Sequence, residues 1–120
     1  MTLATLTLLG SVVAAGSQPT PQVIDLKAPD GAALKATYFS AGKPAPALLL
    51  FPQCNQDRRS WMSFAQKAAA SGFHVLTVDY RGHGESGGRR FNDSRRQQQR
   101  QITLEKWPVD VDTAFDWLMS

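Results

Sequence analysis

Cysteine is almost missing from this 120-residue chain, where Cys54 stands alone. An internal disulfide is excluded, and the redox compartment stays open. Histidine is scarce as well. His74 and His83 come with no C-x-x-C pair and no spaced carboxylate pair, so no metal site is expected. The longest apolar stretch, Leu3 to Ala15, falls short of the roughly 20 residues a membrane span needs. Charge is not strongly one-sided either: 13 Lys and Arg against 10 Asp and Glu leave a net +3. Five arginines (Arg89, Arg90, Arg95, Arg96 and Arg100) crowd one segment, and the remainder is nearly neutral, which speaks against a nucleic-acid partner.

Before Asp25 there is no charge at all. The apolar stretch ends in the small residues Val13-Ala14-Ala15-Gly16, and polar, proline-containing "SQPTPQ" follows. This pattern suits a secretory signal peptide over residues 1–16, although the basic leader is missing. The body would then span 17–120 and work in a secreted or periplasmic setting. A loose apolar tail on a cytoplasmic protein is the alternative.

Within the body, "VIDLKA" (23–28) and "LKATYF" (34–39) alternate apolar and polar residues with the period of half-buried strands. Asp30-Gly31 between them is a hairpin-turn dipeptide, so the two runs form an antiparallel pair. "ALLLF" (47–51) is continuously apolar, as suits a strand covered on both faces. "SWMSFAQKAAASG" follows. Ser60 is placed as its N-cap, Trp61, Phe64, Ala65, Ala68 and Ala69 fall at helical spacing, and Gly72 sits where a C-terminal cap glycine belongs. "HVLTVDY" (74–80) is the next buried strand. Strand, helix and strand joined by short links predict a βαβ unit with parallel strands. Residues 87–104, polar, basic and glutamine-rich, read as a surface excursion with room for a helical turn beginning near Asp93. Pro108 is then the expected first helical position of "EKWPVDVDTAFDWLMS", whose apolar face is Val111, Ala114, Phe115 and Leu118. No strand follows to cover that face, so the chain reads as the N-terminal portion of a larger α/β domain.

Gly82, Gly84 and Gly87 satisfy G-x-G-x-x-G, the spacing of a dinucleotide turn. Such a turn must open a helix whose N-terminus meets the pyrophosphate. After Gly88 comes "RRFNDSRR", which has no apolar periodicity, so no cofactor is expected there. The same residues, Asp79-Tyr80-Arg81-Gly82-His83-Gly84-Glu85-Ser86, resemble the D-x-R-G-x-G-x-S turn after the fourth strand of α/β-hydrolases. The likeness runs from Val23 to Ser120 and includes the helix led by "RRSW". A similar "Q/M-C-N…D-R-x-S-W" places it nearest the dienelactone-hydrolase-like branch. The resemblance implies an α/β-hydrolase fold, here incomplete: a β-hairpin, a parallel βαβ unit and a further helix. It also implies cofactor-free cleavage of a small-molecule ester, lactone or similar acyl bond through a serine or cysteine acyl-enzyme. Asp79, Arg81, Gly82, Gly84 and Ser86 would shape the turn, with Arg81, Glu85 and Ser86 bonding loop carbonyls and amides.

A hydrolase of this kind carries its nucleophile on a G-x-S-x-G elbow. No such elbow occurs, so none of the catalytic triad is expected within these residues. What the family places here is half of the oxyanion hole, in the loop after the third strand. Pro52 has no N–H to donate, which leaves Gln53 or Cys54 as the donor. This departs from the more usual His-Gly, and the segment otherwise merely turns the chain. Cys54 itself lacks a histidine in reach and reads as inert. His74 is expected to be a satisfied structural residue, and His83 to lie on the surface. Trp61, Trp107 and Trp117 read as core. A non-catalytic fragment or binding module built on the same half-sheet is the alternative function.

Overall fold

The structure is a computed structural model that describes residues 19–53, 55–91 and 97–120. The expected signal peptide, Cys54 and Asp93 lie outside the described residues.

The alternating runs form strands β1 (Gln22–Lys27) and β2 (Ala33–Phe39), paired antiparallel with Leu26 opposite Leu34 and Ile24 opposite Ala36. The turn between them places Gly31 at φ 92°, a conformation that costs glycine little. It is closed by Ala28 and Ala32, whose N–H and C=O groups bond at 2.9 Å. β3 (Ala47–Leu50) and β4 (His74–Val78) pair parallel, and β4 pairs antiparallel with β2. The sheet order is therefore β1-β2-β4-β3.

Between β3 and β4 lie a 3₁₀ turn (Arg58–Trp61) and helix α1 (Met62–Ala70). Asp57, not Ser60, starts this helical segment. Its carboxylate accepts the Arg59 N–H at 2.9 Å, while the Ser60 hydroxyl turns back to donate to the Asp57 carbonyl. At the other end Phe73 N–H bonds the Ala68 carbonyl and Gly72 N–H bonds that of Ala69. With Gly72 at φ 102° this is a Schellman cap, as the sequence predicts.

Helix α2 (Gln97–Met119) departs from expectation at both its start and its face. It begins eleven residues before Pro108, which sits inside it (108 − 97 = 11). Gln, Arg, Leu, Glu and Lys, good helix formers, fill that first half, and a proline removes only one N–H from the ladder. The surface excursion is thus helical from Gln97 onward. The inward stripe is Asp110 and Ala114, both buried, with Trp117 and Leu118 partly buried beyond them, spaced i, i+4, i+7 and i+8, whereas Phe115 stands 52% exposed.

Each helix covers one face of the sheet. Leu26, Leu34, Ala36, Leu76, Val78 and Ala114 form the core toward α2, with Leu49 and Trp117 packed against it. Phe39, Val75, Ala65 and Ala69 form the core toward α1, with Leu48 and Leu50 packed there. The unbroken "ALLL" is explained: alternate leucines serve opposite layers. β3 is only half-buried because it is the edge strand of this sheet. Among the described residues, no helix is long and apolar enough to cross a membrane.

Candidate functional site at the carboxyl ends of β3 and β4

Parallel strands β3 and β4 end side by side, and each feeds a loop. The carboxyl edge of such a sheet is where α/β proteins place their ligands. The loop after β4 is held in shape mostly from within. Gly82 N–H bonds the Gly87 carbonyl, His83 N–H that of Tyr80, Ser86 N–H that of His83, and Gly87 N–H that of Ala33, at 2.7 to 3.0 Å. Glu85 N–H is taken by the Asp79 carboxylate at 2.9 Å. These five amides are engaged within the protein, and among the described residues no helix opens at Gly88 to supply a dipole. Gly82 (φ 81°) and Gly84 (φ 48°) are required sterically. A Cβ on Gly82 would stand 2.6 Å from the Arg89 carbonyl, and one on Gly84 would overlap the Asp79 carboxylate.

Asp79 is fully buried, as is Asp110, and each is met by an arginine. Asp79 accepts from the Arg58 backbone N–H at 2.6 Å and from Arg58 Nη1 at 2.5 Å. Arg58 itself is 4% exposed, and it also donates to Thr37 Oγ1 and Glu85 Oε1, each at 3.0 Å. Asp110 on α2 accepts from Arg81 N, Nε and Nη2 at 2.7 to 2.9 Å. Arg81 then reaches Asp30 in the hairpin turn at 2.6 and 3.1 Å. Burial alone would make Arg81 easier to deprotonate, but its bonds to Asp30 and Asp110 win and raise its pKa. The Arg81 guanidinium in turn holds the Asp30 carboxyl below the usual carboxylate range. For the buried carboxylates Asp79 and Asp110, losing the arginine partner costs roughly 3–5 kcal/mol.

Three side chains had been expected to bond loop carbonyls and amides. Ser86 does, donating to the Asp79 carbonyl at 2.7 Å and accepting the Lys35 N–H at 2.8 Å. Arg81 and Glu85 instead spend their side chains on carboxylate and guanidinium partners. Loop carbonyls are met by Arg90, which reaches those of Gly84, Ser86 and Gly88. The arginine-rich run had hidden this role, because nothing local separates a clamping arginine from a solvated one.

His83 is buried, not on the surface. It stacks on Phe91 at 5.1 Å and meets Trp107 edge-on at 5.3 Å. Phe51, Tyr80 and Trp107 continue this aromatic floor at centroid distances of 4.5 and 4.4 Å. His74 is satisfied at both ring nitrogens. Ala41 N–H donates to Nδ1 at 3.1 Å, and Nε2 faces the Lys43 carbonyl at 2.8 Å, which assigns the proton to Nε2. Trp61 donates to the Phe51 carbonyl at 2.9 Å, and Trp117 packs on the core.

The loop after β3 faces the glycine loop across a 360 Å³ cleft lined by Asn55, Gln56, Asp57, Gly82, His83, Gly84 and Arg90. Pro52 is buried and Gln53 is exposed, its carbonyl accepting the Gln56 N–H at 3.0 Å. Asp57 lies below the usual carboxylate range because Arg59 donates to it. Among the described residues no group of three or more His, Cys, Asp or Glu is placed to hold a metal ion.

No protein-family model matches the sequence, and no curated protein does. Solved structures do. An esterase of Pyrococcus furiosus, Pf2001, superposes with a TM-score of 0.62 at 19% identity, over 83% of this chain and 36% of its own. An epoxide hydrolase of the α/β-hydrolase superfamily from hot-environment metagenomes gives 0.60 at 21%, over 81% and 30%. The α/β-hydrolase GrgF from Penicillium gives 0.57 at 22%, over 72% and 32%. The chain thus has part of an α/β-hydrolase fold. It spans about a third of the length of these structures.

Proposed function

We propose that the chain is the N-terminal scaffold of a serine-type α/β-hydrolase that cleaves an ester, lactone or similar acyl bond of a small molecule. In this reading the chain is similar to the dienelactone-hydrolase-like branch, on the "QCN…DRRSW" and "DYRGHGES" residues. The observation that carries this reading is the meeting of the two loops. The segment after β3 and the glycine loop face each other across a cleft at the carboxyl edge of parallel strands. In this reading a main-chain amide of Gln53 or Cys54 is one of two oxyanion donors. Such a donor supplies roughly 2.7–4 kcal/mol in the transition state. The other donor, the nucleophile, the acid and the histidine come from sequence outside these residues. Pro52 suits the role of a stiff lead-in, since it fixes φ and leaves the next amide as the first available.

The test is to sequence the reading frame past the Ser120 codon and assay what it encodes with p-nitrophenyl acetate. The reading expects a strand ending in G-x-S-x-G, a later acid and histidine, and turnover that vanishes when that serine becomes alanine. The 120-residue chain alone should match its denatured control. A stop codon directly after Ser120, or turnover by the short chain itself, would overturn the assignment.

A further inference from the structure

We propose that Arg58 and Asp79 are a positioning pair that makes the loop after β3 and the glycine loop one mechanical unit. This rests on the reading above, in which the loop after β3 bears an oxyanion donor.

A single buried carboxylate bridges both loops. Oδ1 of Asp79 takes the backbone N–H of Arg58, and Oδ2 takes both Arg58 Nη1 and the backbone N–H of Glu85. Arg58 is the first residue of the 3₁₀ turn, so its N–H is the point at which the loop after β3 becomes regular structure. Asn55, Gln56 and Asp57, which line the cleft, hang from that point, and Gln56 N–H closes the turn onto Gln53. The guanidinium completes the junction. Nε is anchored to Thr37 on β2, and Nη2 to Glu85 in the glycine loop. Gly84 lies so close to the carboxylate that any Cβ there would overlap it, so the missing side chain is what lets the glycine loop close on Asp79. A fixed donor array at the developing charge is what electrostatic catalysis requires, and small displacements are costly. Charged hydrogen bonds in a buried place set that geometry more firmly than packing of two polar loops could.

Site-resolved amide hydrogen exchange on the 120-residue chain tests the coupling without any catalysis. Glu85→Gln changes an exposed side chain of the glycine loop and leaves both buried partners intact, so it should fold. It should speed exchange at Asn55–Ser60 across the cleft by about threefold, leaving β1 and β2 unchanged. Asp79→Asn keeps the shape but offers an NH₂ where an acceptor is needed. It should speed exchange in both loops by about tenfold, equivalent to about 1.4 kcal/mol of local opening. Arg58→Lys should recover part of the protection that Arg58→Met loses. Glu85→Gln acting on its own loop alone, or equal loss of protection throughout the chain in every variant that folds, overturns the coupling. On the complete enzyme, Glu85→Gln should lower kcat with KM held, and an unchanged kcat would remove the positioning role. Absence of any turnover would instead count against the hydrolase reading and leave the exchange result standing.

Discussion

The glycines after β4 marked a turn by themselves, but it was the resemblance to the α/β-hydrolase turn, not their spacing, that singled out Asp79, Arg81, Gly82, Gly84 and Ser86. Their partners were not singled out. Arg58 lies 21 residues from Asp79, and Asp110 lies 29 from Arg81, so no window of sequence contains either pair. His83 shows the same limit from the other side. On a glycine loop it reads as surface, yet Phe91 and Trp107 enclose it. Gly84→Ala is the sharpest residue-scale test. It combines a left-handed backbone with a side chain driven into the Asp79 carboxylate, so it should destabilise by at least about 1–3 kcal/mol. Urea denaturation would measure this, and an unchanged midpoint would show that the carboxylate has room to move.

The strands, α1 and the second half of α2 followed from pattern, while the first half of α2 did not. Pro108 was placed as a helix start because proline is at ease there, yet the chain on both sides of it is helical. The cost is a missing N–H and a ring against the preceding turn. Pro108 is exposed and makes none of the hydrogen bonds that hold the site. Pro108→Ala should therefore raise stability, by up to about 3 kcal/mol, with higher helical ellipticity and a higher Tm. A lower Tm would mean that the bend, not the ladder, is what seats Asp110 and Trp117. Asp110 also explains why the apolar face was misplaced by a residue. An aspartate scores as solvent-facing, and only Arg81 makes its burial tolerable.

Among the described residues, five carboxylates meet arginines: Asp30, Asp57, Asp79, Glu85 and Asp110. Asp57 and Asp30 have pKa values depressed from 3.8 by Arg59 and Arg81 respectively. A depressed folded-state value means that the stabilisation is complete above the unfolded value and disappears as pH falls through the folded one. The protein should thus lose stability below about pH 4. Asp57→Asn cannot titrate there. The gap in unfolding free energy between it and the wild type should be widest near pH 6 and close toward pH 2, followed by urea titration at each pH. A gap that stays constant, or widens in acid, would contradict the pairing. Arg81, with its pKa raised, stays charged throughout and adds no titration of its own.

Alternation in β1 and β2, the unbroken apolar β3, the glycine cap of α1 and the turn after β4 were all written in short stretches of residues. Each depends on the backbone's own period or on a conformation only glycine adopts cheaply. Which charges became buried, which loop faces which, and how α2 turns its stripe were settled only when the order β1-β2-β4-β3 set distant segments side by side. Burial of a charge depends on a partner brought from elsewhere in the chain, and that is a property of the assembled layers rather than of any residue's neighbours in sequence.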